Sequence, residues 1–305
     1  MSKGFDELIS GVKKIAKKKL AVANAGDRAV LEAVRDAESG GIADAILVGD
    51  SDEIKRIASE IEMDISRFSV VDVKDPTEAS LRAVRFVHDG EADMYMKGFL
   101  DTKTFLKSVL DKECGLRTGK PLSHICVFEI PGIDRLLFLT DVAFMPYPTL
   151  EEKKYIIGYS VDVAKACGIE TPKVAPLAAV EVVNPKMPVT VEAGELTRMN
   201  DEGEITGCIV DGPLSMDMAI DPAASEEKGG HDRKIRGDAD ILLFPDIHAG
   251  NLVYKTIVHT VPGVRNGCIL TGTKAPVVLT SRSDTKDVKI NSIALAAVVA
   301  ESLKS

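Results

Sequence analysis

The sequence contains no apolar run long enough to cross a membrane. Its longest apolar stretches, residues 174–183 and 293–300, are short or broken by proline and charge, whereas a membrane-spanning helix needs about 20 apolar residues. Residues 1–20 carry many lysines but also Asp6 and Glu7, and they hold no uninterrupted apolar core. They therefore predict an amphipathic helix and not a signal peptide. We expect a cytoplasmic protein that does not bind a membrane.

Cysteine and positive charge are also scarce. A net charge of −9 at pH 7 argues against nucleic-acid binding. An anionic ligand must then be held by local cations, because the field of the whole protein repels it. The cysteines are scattered and form no CxxC pair, so neither a disulfide framework nor a cysteine metal site is expected. They are Cys114, Cys126, Cys167, Cys208 and Cys268.

Several common catalytic signatures are missing as well. No GxGxxG follows the first predicted strand, no GxxxxGK[ST] is present and no HExxH occurs. These absences exclude the Rossmann dinucleotide fingerprint, the P-loop and the HExxH zinc site. Carboxylate pairs at the spacing of a glycosidase or a metal cluster are not evident either. We predict no metal site.

The chain does contain a regular alternation of strands and helices. Four short strands in the first third are separated by amphipathic helices, which is typical of parallel βαβ units in a doubly wound sheet. The predicted strands are residues 20–23, 45–48, 70–73 and 94–96, and the helices between them are residues 27–38, 51–61 and 77–89.

The middle of the chain begins with an antiparallel hairpin, predicted over residues 123–139 with its turn at 131–134. Further βα alternation follows, and the final helix is expected to pack back on the first lobe. The fold class is therefore α/β, with two lobes and mostly parallel sheets. We predict that residues 1–127 and 284–305 form the first lobe and residues 128–283 the second.

The most informative segment is Ala275–Ala297. Its apolar strand, Pro276–Leu279, leads through Thr280–Asp284 into a helix. Hydroxyl groups and a guanidinium at a helix amino terminus suit a phosphate or another oxyanion. The alternative is that Ser283 or Asp284 only caps the helix.

Two loops of the first lobe are candidate anion sites. Lys97 and Gly98 follow a predicted strand, where lysine supplies charge and glycine permits close approach to a ligand. Asp101 or Thr102 is then expected to cap the next helix. Arg117 lies in the loop Gly115–Lys120, between two glycines, and suits a pyrophosphate. Ordinary solvated loops are the alternative in both cases.

Two loops of the second lobe follow strands in the same way. Gly212 and Pro213 open a short helix after an apolar strand, and Asn251 follows Pro245–Gly250 after another. Ligands bind at the carboxyl ends of parallel strands, so these loops are candidate site walls. His248 is either a general base or, more commonly, a hydrogen-bonded structural histidine.

Taken together, five segments of this sequence resemble the phosphate acyltransferases, most nearly the phosphate butyryltransferase branch, with phosphate acetyltransferases more distant. The resemblance runs from about residue 20 to residue 300. The segments are MKGFLDTKTFLKSVLDKECGLRTG (residues 96–119), AAVEVVNPKMP (178–188), VDGPLSMDMAI (210–220), GDADILLFPDIHAGNLVYK (237–255) and APVVLTSRSD with NSIALA (275–296).

The resemblance implies the reaction acyl-CoA plus inorganic phosphate in equilibrium with acyl phosphate plus coenzyme A (CoA), without a metal or redox cofactor. It implies two lobes similar to isocitrate and isopropylmalate dehydrogenase, an active site in the cleft between them, and a homodimer or larger homo-oligomer. The expected acyl group is butyryl. Acetyl specificity, a dehydrogenase on the same fold and a diverged CoA-binding protein are the alternatives.

The same resemblance implies roles for individual residues. Ser281 matches the family serine that stabilises the transition state, and Arg282 matches the arginine that binds phosphate or substrate. The acetyltransferases have a catalytic aspartate seven positions after that serine, where this chain has Val288. Asp287 and Asp284 are the nearest carboxylates and the candidate thiol bases, and we expect them to share a helix face if the helix begins near Asp284.

The acetyltransferases also have a site cysteine, whose position corresponds to Val142 here. Lys97, Gly98, Thr102 and Arg117 are the expected substrate-binding residues of the first lobe. Gly212, Pro213 and Asn251 are those of the second.

Overall fold

The computed structural model describes residues 4–281 and 284–304. It confirms the predicted alternation of strands and helices. The strands are β1 (Lys18–Ala23), β2 (Ala43–Gly49), β3 (Ser69–Asp72), β4 (Met94–Lys97), β5 (Ser123–Glu129), β6 (Leu137–Thr140), β7 (Lys173–Pro176), β8 (Ile209–Val210), β9 (Ile241–Leu243), β10 (Arg265–Thr271) and β11 (Val277–Val278). The helices are α1 (Phe5–Val12), α2 (Arg28–Ser39), α3 (Ser51–Glu60), α4 (Pro76–His88), α5 (Thr102–Val109), α6 (Leu150–Ala166), α7 (Pro188–Asp201), α8 (Met216–Ile220), α9 (Pro222–Glu227), α10 (Ile247–Thr260) and α11 (Lys286–Ser302).

The chain divides into two compact units. The outer unit comprises Phe5–Lys120 and the chain from Arg265 onward, and the central unit comprises Pro121–Val264 with Gly4. The chain leaves the outer unit after Lys120 and re-enters it at Arg265. The lobe boundaries expected from the sequence, at residues 128 and 284, stay a prediction. The reason for the return at Arg265 is that β10 pairs with β11, and β11 pairs with β4 in the outer unit.

The outer unit contains strands in the order β3-β2-β1-β4-β11-β10. All neighbouring pairs from β3 to β11 are parallel, and β10 is antiparallel to β11. Helix α11 packs on β10 and on α2, which confirms that the final helix returns to the first part of the chain. All residues from Ile293 to Ala297 are apolar and buried, because α11 is enclosed by these elements.

The central unit contains strands in the order β5-β6-β9-β7-β8. The predicted hairpin is confirmed as the antiparallel pair β5–β6, and the pairs β6–β9, β9–β7 and β7–β8 are parallel. The carboxyl ends of β6, β7, β8 and β9 therefore lie at one edge.

Aspartates begin four helices of the outer unit, and this explains the tight turns after its parallel strands. Asp27, Asp50, Asp75 and Asp101 each accept a hydrogen bond from a backbone N–H in the first turn of α2, α3, α4 and α5. These N–H groups have no partner inside the helix, so a carboxylate at this position stabilises the start of the helix.

No helix within residues 4–281 and 284–304 is both long enough and apolar enough to span a bilayer. The cysteines are free thiols.

Candidate active site

The carboxyl ends of three parallel strands bring the candidate residues of the outer unit together. Ala23 of β1 is paired with Lys97 of β4, and Met96 of β4 is paired with Val278 of β11. The loops that follow these strands are consequently neighbours at one edge of the sheet. This is the edge at which α/β proteins bind ligands.

Gly98 lies where two of these loops touch. Its N–H donates to the Ala23 carbonyl at 2.9 Å, and the next N–H donates to the Asn24 carbonyl at 2.8 Å. A Cβ at position 98 would lie 2.4 Å from both carbonyl oxygens. The close approach that requires glycine is therefore an approach to protein backbone, and a contact of Gly98 with substrate stays a prediction.

The side chain of Lys97, next to Gly98, is buried, with 5% of the residue exposed. Thr102 is exposed in the first turn of α5. Of the two residues expected to cap that helix, Asp101 does so, since its carboxylate accepts from the Thr104 N–H at 2.9 Å. This hydrogen bonding, together with that of the Thr104 hydroxyl, lowers the pKa of Asp101.

Ser281 follows β11 and is exposed at this edge. Its N–H donates to Oδ2 of Asp284 at 2.7 Å, and the Asp284 N–H donates back to the Ser281 carbonyl at 3.2 Å. We call these two linked residues, Ser281 and Asp284, the Ser281–Asp284 turn. The predicted phosphate ligand Arg282 lies outside the described residues, as does Ser283.

The helix after this turn begins later than expected. Helix α11 starts at Lys286, and Thr285 caps it by accepting from the Val288 N–H. The expectation that Asp284 caps the helix is wrong, because its carboxylate is bonded to the Ser281 N–H instead. Asp284 and Asp287 are therefore not on one helix face: Asp284 precedes the helix, and Asp287 is exposed in its first turn.

A further charged residue at this edge, Lys289, was missed by the sequence analysis. Lys289 is buried, with 3% exposed, and its Nζ donates to the Asp284 carbonyl at 2.6 Å. Burial lowers the pKa of Lys289, while the carboxylates of Asp284 and Asp27 act in the opposite direction. The only signal in the sequence is its position one turn after the start of an apolar helix.

Arg117 is not brought to this edge. It forms an isolated antiparallel bridge with Thr273, in the turn between β10 and β11. Thr118 holds the same turn, because its hydroxyl donates to the Gly272 carbonyl at 2.7 Å. Arg117 is exposed and lies beside the turn that precedes β11, whereas Ser281 follows that strand.

The predicted residues of the central unit follow β8 and β9. The Gly212 N–H donates to the Thr197 hydroxyl at 2.9 Å, and the Pro213 carbonyl accepts from Arg233 at 2.8 Å. The Asn251 side chain donates to the Val142 carbonyl at 2.8 Å, and Val142 is fully buried. Each of these residues thus has a structural contact, and its role toward substrate stays a prediction.

His248, near Asn251, is exposed, and its Nε2 lies 2.8 Å from the hydroxyl of Tyr147. A general-base role for His248 also stays a prediction.

A charged cluster follows Pro213. Lys228 lies 2.8 Å from Asp217 and 3.2 Å from Glu181, and the Ser215 hydroxyl also donates to Glu181. The ammonium of Lys228 lowers the pKa of Asp217 to about 2, and the Ser215 hydroxyl followed by Lys228 lowers that of Glu181. The two carboxylates raise the pKa of Lys228. All three groups are therefore charged at neutral pH, and the cluster is unsuited to proton transfer there.

The same edge of the central unit holds an apolar pocket of about 470 Å³. Its walls come from the segments directly after β7 and β9 and from helices α7, α8 and α10. Sequence analysis did not find it, because its residues are far apart in the chain. They include Leu177, Met187, Met216, Phe244, Ala249 and Val253.

No cluster of His, Cys, Asp or Glu able to hold a metal ion is found in the part of the chain that the structure describes.

The sequence matches the family model described as phosphate acetyl/butaryl transferase over residues 5–80 and 74–297. This chain belongs to that family. The phosphate butyryltransferase of Clostridium acetobutylicum is 57% identical over 300 residues, which cover 98% of this chain and 99% of the relative. The resemblance predicted from the sequence motifs is thus confirmed.

Solved structures confirm the fold. A branched-chain phosphotransacylase from Enterococcus faecalis V583 has a TM-score of 0.81 and 33% identity, covering 93% of this transferase and 99% of that chain. A 4-hydroxythreonine-4-phosphate dehydrogenase from Klebsiella pneumoniae has a TM-score of 0.55 and 12% identity, covering 93% and 100%. The second likeness concerns the fold alone, and it confirms the predicted relation to the isocitrate and isopropylmalate dehydrogenase-like fold.

Replacing Asp284 by asparagine is expected to lower kcat by about 10- to 100-fold if its carboxylate accepts the thiol proton. The amide oxygen of asparagine still accepts from the Ser281 N–H, so the turn is kept and the charge is removed. Asp287→Asn is the matched comparison, because it removes the same charge from the other candidate base. If Asp284 is the base, Asp287→Asn is expected to change kcat by less than about twofold. The measurement is the pH–rate profile with CoA for both variants.

Loss of a pH limb in Asp287→Asn alone would assign the base to Asp287. If both variants keep kcat and profile, this segment supplies no carboxylate base.

Proposed function

We propose that this transferase interconverts butyryl-CoA plus inorganic phosphate and butyryl phosphate plus CoA. The observation that carries this proposal is the near full-length similarity to the C. acetobutylicum butyryltransferase. The arrangement of Ser281, Asp284 and Lys97 at the carboxyl edge of the outer unit supports it, because acyl transfer needs anion-binding and proton-accepting groups there.

The chemistry assigns a role to each group. In the direction of acyl-CoA formation, the CoA sulfur attacks the carbonyl carbon of the acyl phosphate, and its proton passes to Asp284 or Asp287. A C–S bond forms, the bond from carbon to the phosphate oxygen breaks, and inorganic phosphate leaves. Ser281 stabilises the oxyanion that forms in between. Arg282 binds the phosphate, since a guanidinium can donate to two of its oxygens at once.

The test is an assay of the purified protein with butyryl phosphate and CoA. We expect the free thiol to disappear as butyryl-CoA forms, and we expect the reverse reaction with butyryl-CoA and phosphate. A protein that binds CoA but turns over no acyl substrate would be a diverged binding protein. Reduction of a nicotinamide cofactor with a β-hydroxy acid would favour the dehydrogenase alternative.

We further propose that the apolar pocket of the central unit receives the acyl chain. An acyl chain is the one fully apolar part of these substrates. The pocket lies beside the loop that contains Gly212 and Pro213 and beside α10, which contains Asn251. Because about 470 Å³ exceeds the needs of a four-carbon chain, we expect tolerance of branched and neighbouring chain lengths. One methylene changes specificity by only about 10- to 200-fold in any case.

Narrowing this pocket should change the chain-length preference. We expect kcat/KM to be highest for butyryl among straight and branched substrates of two to five carbons. Val253→Phe is expected to lower kcat/KM for butyryl relative to acetyl by about tenfold, because the ring fills the pocket. Leu252→Phe is the control, since Leu252 is 69% exposed on the same helix. A wild-type maximum at acetyl, or an equal loss for all chains in Val253→Phe, would contradict the proposal.

The free cysteines support a reducing, cytoplasmic location. We also propose a homodimer or a larger homo-oligomer. The exposed apolar side chains of Val182 and Val183 support this, because such surfaces commonly mark protein interfaces.

A further inference from the structure

Lys289 differs from two other buried lysines of this protein. Lys18 and Lys153 are also buried, and each pairs with a carboxylate, Glu301 and Glu192 respectively. Among the described residues, the one hydrogen bond of the Lys289 side chain is donated to a backbone carbonyl, that of Asp284. A buried ammonium without a close carboxylate is costly. The protein therefore keeps a charge at a position where an apolar side chain would be more stable.

The surroundings of this ammonium explain where it acts. Asp284 and Asp27 are the carboxylates in electrostatic reach of Lys289. Asp27 is already engaged as the cap of α2, where it accepts from the Val30 N–H at 2.9 Å. The Asp284 carboxylate is engaged with the Ser281 N–H at 2.7 Å. The ammonium thus meets the main chain of the Ser281–Asp284 turn, while both carboxylates bind backbone N–H groups.

Hydrogen bonds of Ser281, Asp284 and Lys289 consequently hold the turn that carries Ser281. The bonds between Ser281 and Asp284 lie within the turn, and the bond from Lys289 connects the turn to α11. Because α11 is buried in the outer unit, this bond ties the turn to a rigid element. Catalytic groups need such support, since a displacement of about 1 Å is enough to cost about 100-fold in rate.

We propose that Lys289 is a positioning residue, which anchors the Ser281–Asp284 turn so that Ser281 meets the reacting acyl carbon. This inference rests on the proposed acyl transfer. Lys289 is not assigned as the thiol base, because its ammonium already donates a hydrogen bond to the Asp284 carbonyl. It acts through the turn, on the rate of the chemical step more than on substrate binding.

The test compares Lys289→Met with wild type in kcat, KM and melting temperature. Methionine has a similar length and no charge. We expect kcat to fall by about 10- to 100-fold, as for loss of a hydrogen bond from a charged donor. The KM values for CoA and butyryl phosphate should change little, and the melting temperature should stay equal or rise, because a buried charge is removed.

A lysine with a merely structural role gives the opposite pattern, a lower melting temperature and an unchanged kcat for the folded enzyme. Lys286→Met is the matched control. Lys286 lies one turn earlier on α11 and pairs at the surface with Asp36, at 2.8 Å. This variant removes the same charge from the same helix without touching the turn, and its kcat is expected to stay near the wild-type value.

Lys289→Arg is the second variant, because it keeps both charge and donor. The decrease in log kcat of Lys289→Arg relative to wild type is expected to be less than half of the decrease in Lys289→Met. The proposal is overturned if Lys289→Met keeps kcat within about twofold, if its melting temperature falls, or if Lys289→Arg is folded and no more active than Lys289→Met. Wild-type protein without acyl transfer would overturn the proposed function, and this inference with it. An active wild type with an equally active Lys289→Met overturns the inference alone.

Discussion

Replacing Ser281 by alanine is expected to lower kcat for acyl transfer by about 100- to 1000-fold, the usual cost of losing a transition-state hydrogen bond. The KM values for CoA and acyl phosphate should change little, since the hydroxyl is assigned to the oxyanion and not to the bound substrate. The turn survives the change, because Ser281 bonds Asp284 through its backbone N–H. Steady-state kinetics in both directions provide the measurement.

The melting temperature of Ser281→Ala serves as the internal control and should equal that of wild type, since Ser281 is exposed. Thr285→Ala is a useful contrast, because it removes the cap of α11 just beyond the turn. That variant is expected to lose about 1 kcal/mol of unfolding free energy with a much smaller change in kcat. Wild-type kinetics in Ser281→Ala would show that the site lies elsewhere.

Gly98→Ala is expected to destabilise the protein by about 3 kcal/mol, at the upper end of the cost of overpacking. The added methyl group would lie 2.4 Å from the carbonyl oxygens of Ala23 and Asn24. Both oxygens belong to backbone, so the loops after β1 and β4 must separate to admit it. Urea denaturation measures the change in unfolding free energy.

Activity should fall with Gly98→Ala even at temperatures where the variant is folded, because the Ser281–Asp284 turn follows the neighbouring strand β11. Gly158→Ala is the matched control. Gly158 lies within α6 and has no neighbouring atom within 4 Å of an added Cβ, so alanine there should raise stability by about 0.5–1 kcal/mol. Equal stability of Gly98→Ala and wild type would contradict the close packing of these loops.

Much of the fold follows from local sequence. The apolar strands and amphipathic helices of the first third are present within a few residues of their predicted bounds, because each period matches one secondary structure. Asp50 and Asp101 mark helix starts through their own hydrogen bonds with the next turn. The Pro131–Asp134 turn specifies its hairpin in the same local way.

The crossing of the chain between units was harder to predict. Residues 265–283 have the same apolar composition as strands of either unit. They belong to the outer unit because β11 pairs in parallel with β4. This pairing joins residues that are far apart in the chain. Strand patterns alone do not specify such a partner.

The sequence itself determined the family and its reaction. The long motifs around Gly212, Asn251 and Ser281 contain, in the same order, the residues that the family motifs contain. The place of Ser281 at a strand-to-helix junction also followed from local pattern. The hydrogen-bond partners of the nearby charged residues did not follow from local pattern. Asp284 bonds the Ser281 N–H instead of capping α11, and Lys289 folds back on the same turn.

The contact of Lys289 forms because its side chain is buried, so the ammonium must take a partner from whatever the packed elements supply. The apolar pocket of the central unit likewise combines remote segments, with Leu177 after β7, Met216 at the start of α8 and Val253 within α10. The sequence alone thus determined the family, its reaction and the place of Ser281 between a strand and a helix. Which donor meets which acceptor, and which apolar side chains share a wall, was decided only by the tertiary structure, because both depend on distances between segments that are remote in the chain.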